Sequence, residues 1–177
     1  TVQLPGGQTQ AVDCTLDQAS PELFAVSQPY VYHDSNNAAR TFTIYGTGFG
    51  VSQGPNESVT LDGIPLQVVS PGWSETQITV RVRNSSTFNV PPGPHQLVIN
   101  TQNGRHTVNR LTFHVLGTGY NPNVYDVGPG KTYQPADTLT AMDDHAIQNA
   151  LNDAAASPGD DLVVVYPNNP RGDPRQH

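Results

Sequence analysis

The chain has 177 residues and a formal net charge of −7 at pH 7, and only 13% of its residues are charged. Its 16 glycines and 16 prolines favour a turn-rich, mainly β fold over a helical bundle. No apolar run approaches the roughly 18 residues of a membrane span, and a single cysteine, Cys14, excludes an internal disulfide framework and a cysteine-based zinc site within this sequence.

The charges are unevenly distributed along the chain. Residues 22–116 contain five acidic and five basic residues, so this part is formally neutral. Residues 117–177 contain eight acidic residues against three basic ones, and two more acidic residues precede residue 22. Nucleic-acid binding needs a basic surface that displaces phosphate counterions. We therefore predict no nucleic-acid partner.

The predicted elements begin after an N-terminal extension, residues 1–20. Three later segments alternate apolar and polar residues with a period of two, as strands with one buried face do. Their inward-facing residues are Phe42 and Ile44, then Ile78, Val80 and Val82, then Leu111, Phe113 and Val115. Shorter strands are predicted at 59–61, 66–69 and 96–100, separated by turns rich in Gly, Pro and Asn. This spacing predicts a β-sandwich over residues 21–116.

The stretch "TIYGTGFGVS", residues 43–52, contains three glycines in the manner of a loop that covers nucleotide phosphates. A phosphate loop normally leads into a helix and is supported by a lysine or the helix dipole. Here a turn sequence follows, and the nearest lysine is Lys131. We therefore interpret the glycines as a tight bend or bulge where a strand leaves the sheet.

The same region resembles a known family through three motifs. "TIYGTGF" ends a strand, "WSETQI" turns into a strand, and "PPGPHQLVI" forms a hairpin, in the order typical of IPT/TIG domains. The resemblance covers residues 21–116 and implies an immunoglobulin-like fold, which occurs in surface receptors, some transcription factors and polysaccharide-acting enzymes. The segment His33–Ala39 replaces the glycine turn usual before the first motif. Because members act in unrelated settings, the resemblance fixes a fold better than a function.

After residue 116 the pattern changes. Residues 117–138 are rich in Gly, Pro, Asn and Tyr and are predicted as an extended linker. Apolar residues then recur at three and four positions from Leu139 to Ala154, which predicts a helix capped by Asp137 or Thr138. The following "DDLVVVYP" is a continuous apolar run, as in a strand covered on both faces.

One such strand cannot bury both of its faces alone, so we expect part of the structure to lie outside this sequence. "HAIQNALNDAAASPGDDLVVVYPN", residues 145–168, resembles the N-terminal cap of pectin-lyase-like right-handed parallel β-helix proteins. Asn168 and Asn169 stand where that class usually has glycine. The resemblance implies that residues 139–177 are the cap helix and first strand of a β-helix domain, and that the chain is an N-terminal piece of a larger protein.

No catalytic constellation is evident. Asp143 and Asp144 are adjacent on the predicted helix and point about 100 degrees apart, so we interpret them as helix-end charges. Asp160 and Asp161 are predicted to be solvated turn residues. Asp34, Asn36 and Asn37 offer too few oxygen ligands for calcium. The six histidines lack the short spacings of a metal site; they are His33, His95, His106, His114, His145 and His177. We predict no catalytic, cofactor or metal residues.

Two features are candidates for recognition. Trp73 could stack on a sugar ring, although tryptophan in "WSET" is also typical of the resembled domain, where it packs on the sandwich edge. Arg171-Gly172-Asp173 spells the integrin tripeptide, but we interpret it as part of a loop.

The leading hypothesis is a non-catalytic spacer or interaction module of a secreted or surface-attached multidomain protein. The sequence begins with Thr1, so any secretion signal has been removed or lies outside it. The alternative is a substrate-positioning or carbohydrate-binding module of a β-helix polysaccharide lyase or hydrolase. The expected partners are the other domains of the parent protein, with a polysaccharide or a cell-surface protein as further candidates, and no cofactor.

Overall fold

The computed structural model describes residues 20–33, 36–84, 89–102, 104–134 and 145–166, together with the backbone of residues 2–3 and 9–10. Near the N-terminus, β1 (Val2–Gln3) pairs antiparallel with β2 (Thr9–Gln10). These two strands lie in the segment predicted as an N-terminal extension. Within the described residues, no helix is long and apolar enough to span a bilayer.

In the region predicted as a sandwich, the described residues form nine strands and one short helix. They are β3 (Glu22–Val26), β4 (Tyr30–Tyr32), a 3-10 helix (Ala38–Arg40), β5 (Thr41–Thr47), β6 (Ser58–Leu61), β7 (Ile64–Pro65), β8 (Gln67–Trp73), β9 (Gln77–Arg81), β10 (Gly93–Asn100) and β11 (Leu111–Leu116). One sheet has the order β3-β5-β9-β8, and the other has the order β4-β11-β10-β6-β7. Most neighbouring strands are antiparallel, but β4 pairs parallel with β11.

The two sheets pack their apolar faces against each other. The alternation in β5 and β9 places Phe42, Ile44 and Ile78 inward, and all three are buried, as the period-two pattern predicts. Phe42 of one sheet stacks on Phe113 of the other, with ring centroids 4.1 Å apart. Leu111 is only partly buried against this core. The arrangement supports the predicted immunoglobulin-like β-sandwich.

A second, smaller unit follows the sandwich. It consists of β12 (Asn123–Val127), α1 (Ala146–Ala156) and β13 (Asp161–Val165). β12 and β13 pair parallel and without a register shift, from Asn123 opposite Asp161 to Val127 opposite Val165. Helix α1 contacts both strands through small residues, and Ala146 and Ala150 form a buried cluster with Val127. No residue of this cluster belongs to the sandwich core.

Two predictions differ from the structure in this second unit. β12 lies inside residues 117–138, which the composition predicts as an extended linker. Its partner is 38 positions away in sequence, so the local Gly and Pro content could not reveal the pairing. In β13, Val164 is buried but Val165 is 56% exposed, so the expected two-sided coverage is incomplete. The predicted helix start, with Leu139, Asp137 and Thr138, lies outside the described residues.

Candidate functional site

The glycine stretch binds a carboxylate of the protein itself. The backbone amides of Gly48 and Gly50 donate to Oε1 and Oε2 of Glu75 at 3.1 and 2.9 Å. Both glycines have positive φ angles, +74° and +90°, which only glycine adopts freely. The Glu75 carboxylate therefore accepts the two amides of the glycine stretch, and the stretch is a bend at the end of β5.

Trp73 packs beside this bend. Its indole Nε1 donates to the carbonyl oxygen of Phe49 at 3.0 Å, and its ring is half-buried against the sandwich core. These contacts give Trp73 a structural role in joining the end of β8 to the glycine stretch. A contact between Trp73 and carbohydrate stays a prediction. A sugar would stack on the part of the ring that these contacts leave exposed.

A polar cavity lies at the opposite end of β8 and β9. It has a volume of about 410 Å³, and we call it the arginine cavity. Its lining residues are Asn37, Arg40, Gln67, Arg81, Arg83 and Asn84. Strand pairing brings them together, because Arg81 at the end of β9 lies between Thr41 of β5 and Gln67 of β8.

Hydrogen bonds hold two of the guanidinium groups in the cavity wall. Arg40 is 8% exposed, and its Nη1 and Nη2 donate to the carbonyl oxygen of Val82 and to Oδ1 of Asn37, each at 2.8 Å. Its buried Nε has no hydrogen-bond partner in the described part of the chain. Arg81 donates from Nε to Oγ1 of Thr41 at 3.2 Å. The cavity therefore presents fixed donors and positive charge.

The arginine cavity was not predicted from the sequence. Arg81 and Arg83 alternate along one strand, which is a local signal that two basic side chains share a face. Arg40 is 41 positions earlier, so only the pairing of β5 with β9 brings it to the same place. A basic cluster formed by distant residues has no signature in local composition.

Among the histidines, His95 has the most defined role. Its Nδ1 and Nε2 lie 2.8 Å from Oδ2 of Asp62 and from the carbonyl oxygen of Pro91. The pKa of the Asp62 carboxyl is lowered, first by the Gln96 amide, which donates to Oδ1 at 2.8 Å, and then by His95. These bonds join the turn after β6 to β10 and are structural.

His114 lies on β11, the strand that pairs with β10. Its Nδ1 is 2.7 Å from the hydroxyl of Tyr120, and burial lowers the pKa of the imidazole. His33 Nε2 lies 2.8 Å from Oδ1 of Asn89. Within the described residues, no three His, Cys, Asp or Glu side chains come together as a possible metal site.

Of the two aspartate pairs, only Asp160 and Asp161 lie within the described residues, and both bond to Asn123. Asp161 at the start of β13 accepts from Nδ2 of Asn123 at 3.1 Å, and the Asp160 carbonyl accepts from the Asn123 amide at 2.9 Å. The pair therefore fixes the start of β13 beside β12. The other sequence candidates lie outside the described residues: Cys14, Asp34, Asp143, Asp144, Asn168, Asn169 and the tripeptide at 171–173.

A cluster of tyrosines connects the sandwich to the second unit. The Tyr30 hydroxyl of β4 donates to Oδ2 of Asp126 in β12 at 2.9 Å. Burial and Asp126 raise the pKa of Tyr30, and the same two causes raise the pKa of Tyr166 to about 12. Lys131 Nζ lies 4.1 Å from the centre of the Tyr166 ring. The two units thus meet through a polar contact.

The comparisons with known proteins agree with the sandwich. Residues 31–115 match the IPT/TIG domain family, which is a little less than half of the chain. Domains of that family are non-catalytic and immunoglobulin-like, and they typically mediate interactions in multidomain proteins.

Among solved structures, 30 chains match. One is the gamma-CGTase from alkalophilic Bacillus clarkii, with 21% identity and a TM-score of 0.43, and the match covers 64% of this chain and 15% of that chain. The chain therefore spans a small part of that enzyme. No curated protein matches.

Proposed function

We propose that this chain is a non-catalytic immunoglobulin-like module that acts as a spacer or interaction domain ahead of a β-helix in a secreted or surface-attached protein. The observation that carries the proposal is the separation of the two cores. The sandwich core ends at Val115, and Val127, Ala146 and Ala150 form a different cluster. A complete sandwich followed by another unit is the organisation of a modular protein.

The β-helix part of the proposal is supported by the second unit. Rungs of a parallel β-helix stack their strands parallel, so each buries apolar side chains against the next. β12 and β13 are parallel with five successive residue pairs, and α1 covers one side of them. Val165 of β13 is 56% exposed, and Ile147 and Leu151 of α1 are each 46% exposed. In the proposed parent protein, further rungs cover part of this apolar surface.

The experiment for the leading proposal uses the 177-residue chain as bait against the remainder of the parent protein and against cell-surface proteins. We expect retention of a partner and no turnover of any polysaccharide offered to the chain. Release of reducing sugars or unsaturated products by the purified chain would contradict a non-catalytic role.

A second candidate function is carbohydrate binding, as a substrate-positioning module of a polysaccharide lyase or hydrolase. The specific observation in its favour is the arginine cavity, whose volume of about 410 Å³ lies in the range of small-ligand sites and whose walls are polar. Trp73 offers a separate stacking surface at the other end of β8.

Glycan retention by Trp73→Phe and Trp73→Ala variants separates the two roles of this residue. Trp73→Phe retains an aromatic face but loses the indole donor to Phe49, whereas Trp73→Ala removes both. If Trp73 contacts sugar, Trp73→Ala loses retention while Trp73→Phe keeps part of it. Unchanged retention in a folded Trp73→Ala protein removes Trp73 from the binding surface.

A further inference from the structure

We propose that the arginine cavity binds the acidic group of a glycan, either the carboxylate of a uronic acid or the sulfate ester of a sulfated sugar. This inference rests on the carbohydrate-binding role proposed above and assigns it a site and a ligand class. The shared chemistry is an oxoanion attached to a hydroxyl-rich ring.

Basic side chains are concentrated in the arginine cavity. Residues 22–116 contain five basic residues, and three of them line this one cavity, whereas none of its described lining residues is acidic. In the part of the chain that the structure describes, Arg40 and Arg81 bond to backbone or uncharged oxygens and to no carboxylate. A cation held in a concave wall without a counter-charge attracts an anion, because the walls exclude part of the screening water.

The guanidinium of Arg40 is buried in the cavity wall. Burying a charged group costs free energy unless it is paired and fully hydrogen-bonded. Arg40 is more than nine-tenths buried, and its Nε lacks a partner among the described residues. An oxoanion in the cavity would supply a counter-charge next to this group. The unpartnered Nε adds to the uncompensated charge of this guanidinium, which an anion in the cavity would offset.

Hydrogen bonds fix the side chains of Arg40 and Arg81 in the cavity. Two hydrogen bonds fix the Arg40 side chain, and one fixes Nε of Arg81 against Thr41. Fixed guanidinium groups lose little conformational entropy on binding, and the planar fork of an arginine matches the two oxygens of a carboxylate or sulfate. The remaining Nη donors of Arg81 have no other partner in the described structure.

The amide side chains of the cavity favour a sugar over other acidic ligands. Asn37, Gln67 and Asn84 add amide donors and acceptors suited to hydroxyl groups. The six described lining residues are all polar, which suits the hydroxyl groups of a sugar. The sequence has no basic run that could follow a phosphate backbone, which disfavours nucleic acid.

The test is isothermal titration of the 177-residue chain with three trisaccharides: a uronic acid oligomer, a sulfated oligomer and a neutral glucose oligomer. The key variant is Arg81→Gln, because Arg81 is half-buried at the end of a strand and its loss should leave the core intact. Arg110→Gln is the matched control, since it removes the same charge from an exposed position outside the cavity. Circular dichroism checks that each variant is folded.

We expect binding of at least one acidic trisaccharide, weakened about tenfold or more by Arg81→Gln and unchanged by Arg110→Gln, because bonds to charged groups dominate the contact. Binding should also weaken as salt is raised. The two acidic probes decide between carboxylate and sulfate.

The inference is overturned if neither acidic trisaccharide binds, or if Arg81→Gln leaves the binding of both unchanged. If the neutral oligomer binds and Arg81→Gln has no effect, carbohydrate binding stands but this site does not. If an acidic probe binds and both variants weaken it equally, general charge explains the binding.

Discussion

At the scale of single residues, the glycine stretch shows how a motif acquires its meaning from one distant side chain. Glu75 is 25 positions beyond Gly50, yet its carboxylate accepts hydrogen bonds from the backbone amides of Gly48 and Gly50. The sequence pattern alone correctly predicts a bend, because no helix and no nearby lysine follow the glycines. The identity of the internal acceptor could not be predicted, since it depends on the turn between β8 and β9.

This bond predicts a loss of stability on removal of the charge. Glu75→Gln leaves one oxygen to accept from two amides and removes the charge that strengthens both bonds. We expect the free energy of unfolding to fall by about 1 kcal/mol, measured by urea denaturation. Glu22→Gln on β3 removes the same charge from an exposed side chain and should change stability by less than about 0.5 kcal/mol. Equal effects of the two substitutions would contradict the role of Glu75.

Asp62 predicts a dependence of stability on acidity. Its pKa is lower in the folded protein than its ordinary value of 3.8, so the folded state binds a proton less readily than the unfolded state. The stabilisation is therefore complete above about pH 4 and is lost as pH falls through the lowered pKa. Asp62→Asn tolerates the same left-handed backbone, where φ is +47°, and lacks the titrating group.

We expect Asp62→Asn to flatten the fall of unfolding free energy below about pH 4. The measurement is urea denaturation at a series of pH values. Glu22→Gln is again a suitable control, since it also removes one carboxyl. An acid dependence unchanged in the Asp62→Asn protein but reduced in the control would show that Asp62 does not carry this effect.

At the scale of elements, the sandwich and the second unit differ in how much the sequence reveals. The strands β5, β9 and β11 have clear alternation and bury the residues that the pattern selects, such as Ile44, Val80 and Phe113. β12 is short, lies among glycines and prolines, and gains its stability from a partner across a helical connection. The local sequence pattern therefore predicts the main strands of the sandwich. In the second unit it predicts β13 but not its partner β12.

Helix α1 depends on small residues at its contact with the strands. Ala146, Ala150 and Ala154 repeat every four positions and are buried, with Ala150 at 0% exposure. Ala150→Leu forces extra volume into this contact and should cost about 1–3 kcal/mol. We expect amides of β12 and β13 to lose hydrogen-exchange protection, while those of β5 and β10 keep it.

The matched control is Ala155→Leu, which adds the same side chain on the exposed side of the helix. It should leave exchange in β12 and β13 unchanged, because leucine has a helix propensity close to that of alanine. Equal loss of protection in both variants would mean that α1 does not pack on the strands through Ala150.

At the scale of the whole molecule, the sandwich and the second unit have separate cores and a polar contact between Tyr30 and Asp126. Tyr30→Phe removes the donor to Asp126 and should cost about 1 kcal/mol, felt mainly by the second unit. Tyr45→Phe is the control, since Tyr45 is exposed on β5. The measurement is hydrogen exchange of the β12 amides at increasing urea in both variants. Equal losses of stability in Tyr30→Phe and Tyr45→Phe would contradict a stabilising contact.

The described residues pack as two units with separate cores, and native-state hydrogen exchange in increasing urea tests this organisation most directly. A two-stranded sheet covered by one helix buries little surface, so it should open with a lower free energy than the sandwich. We predict that amides of β12, α1 and β13 share one low opening free energy, while those of β5, β9, β10 and β11 share a higher one. A single opening free energy and a single urea dependence for all of these elements would contradict two separately packed units.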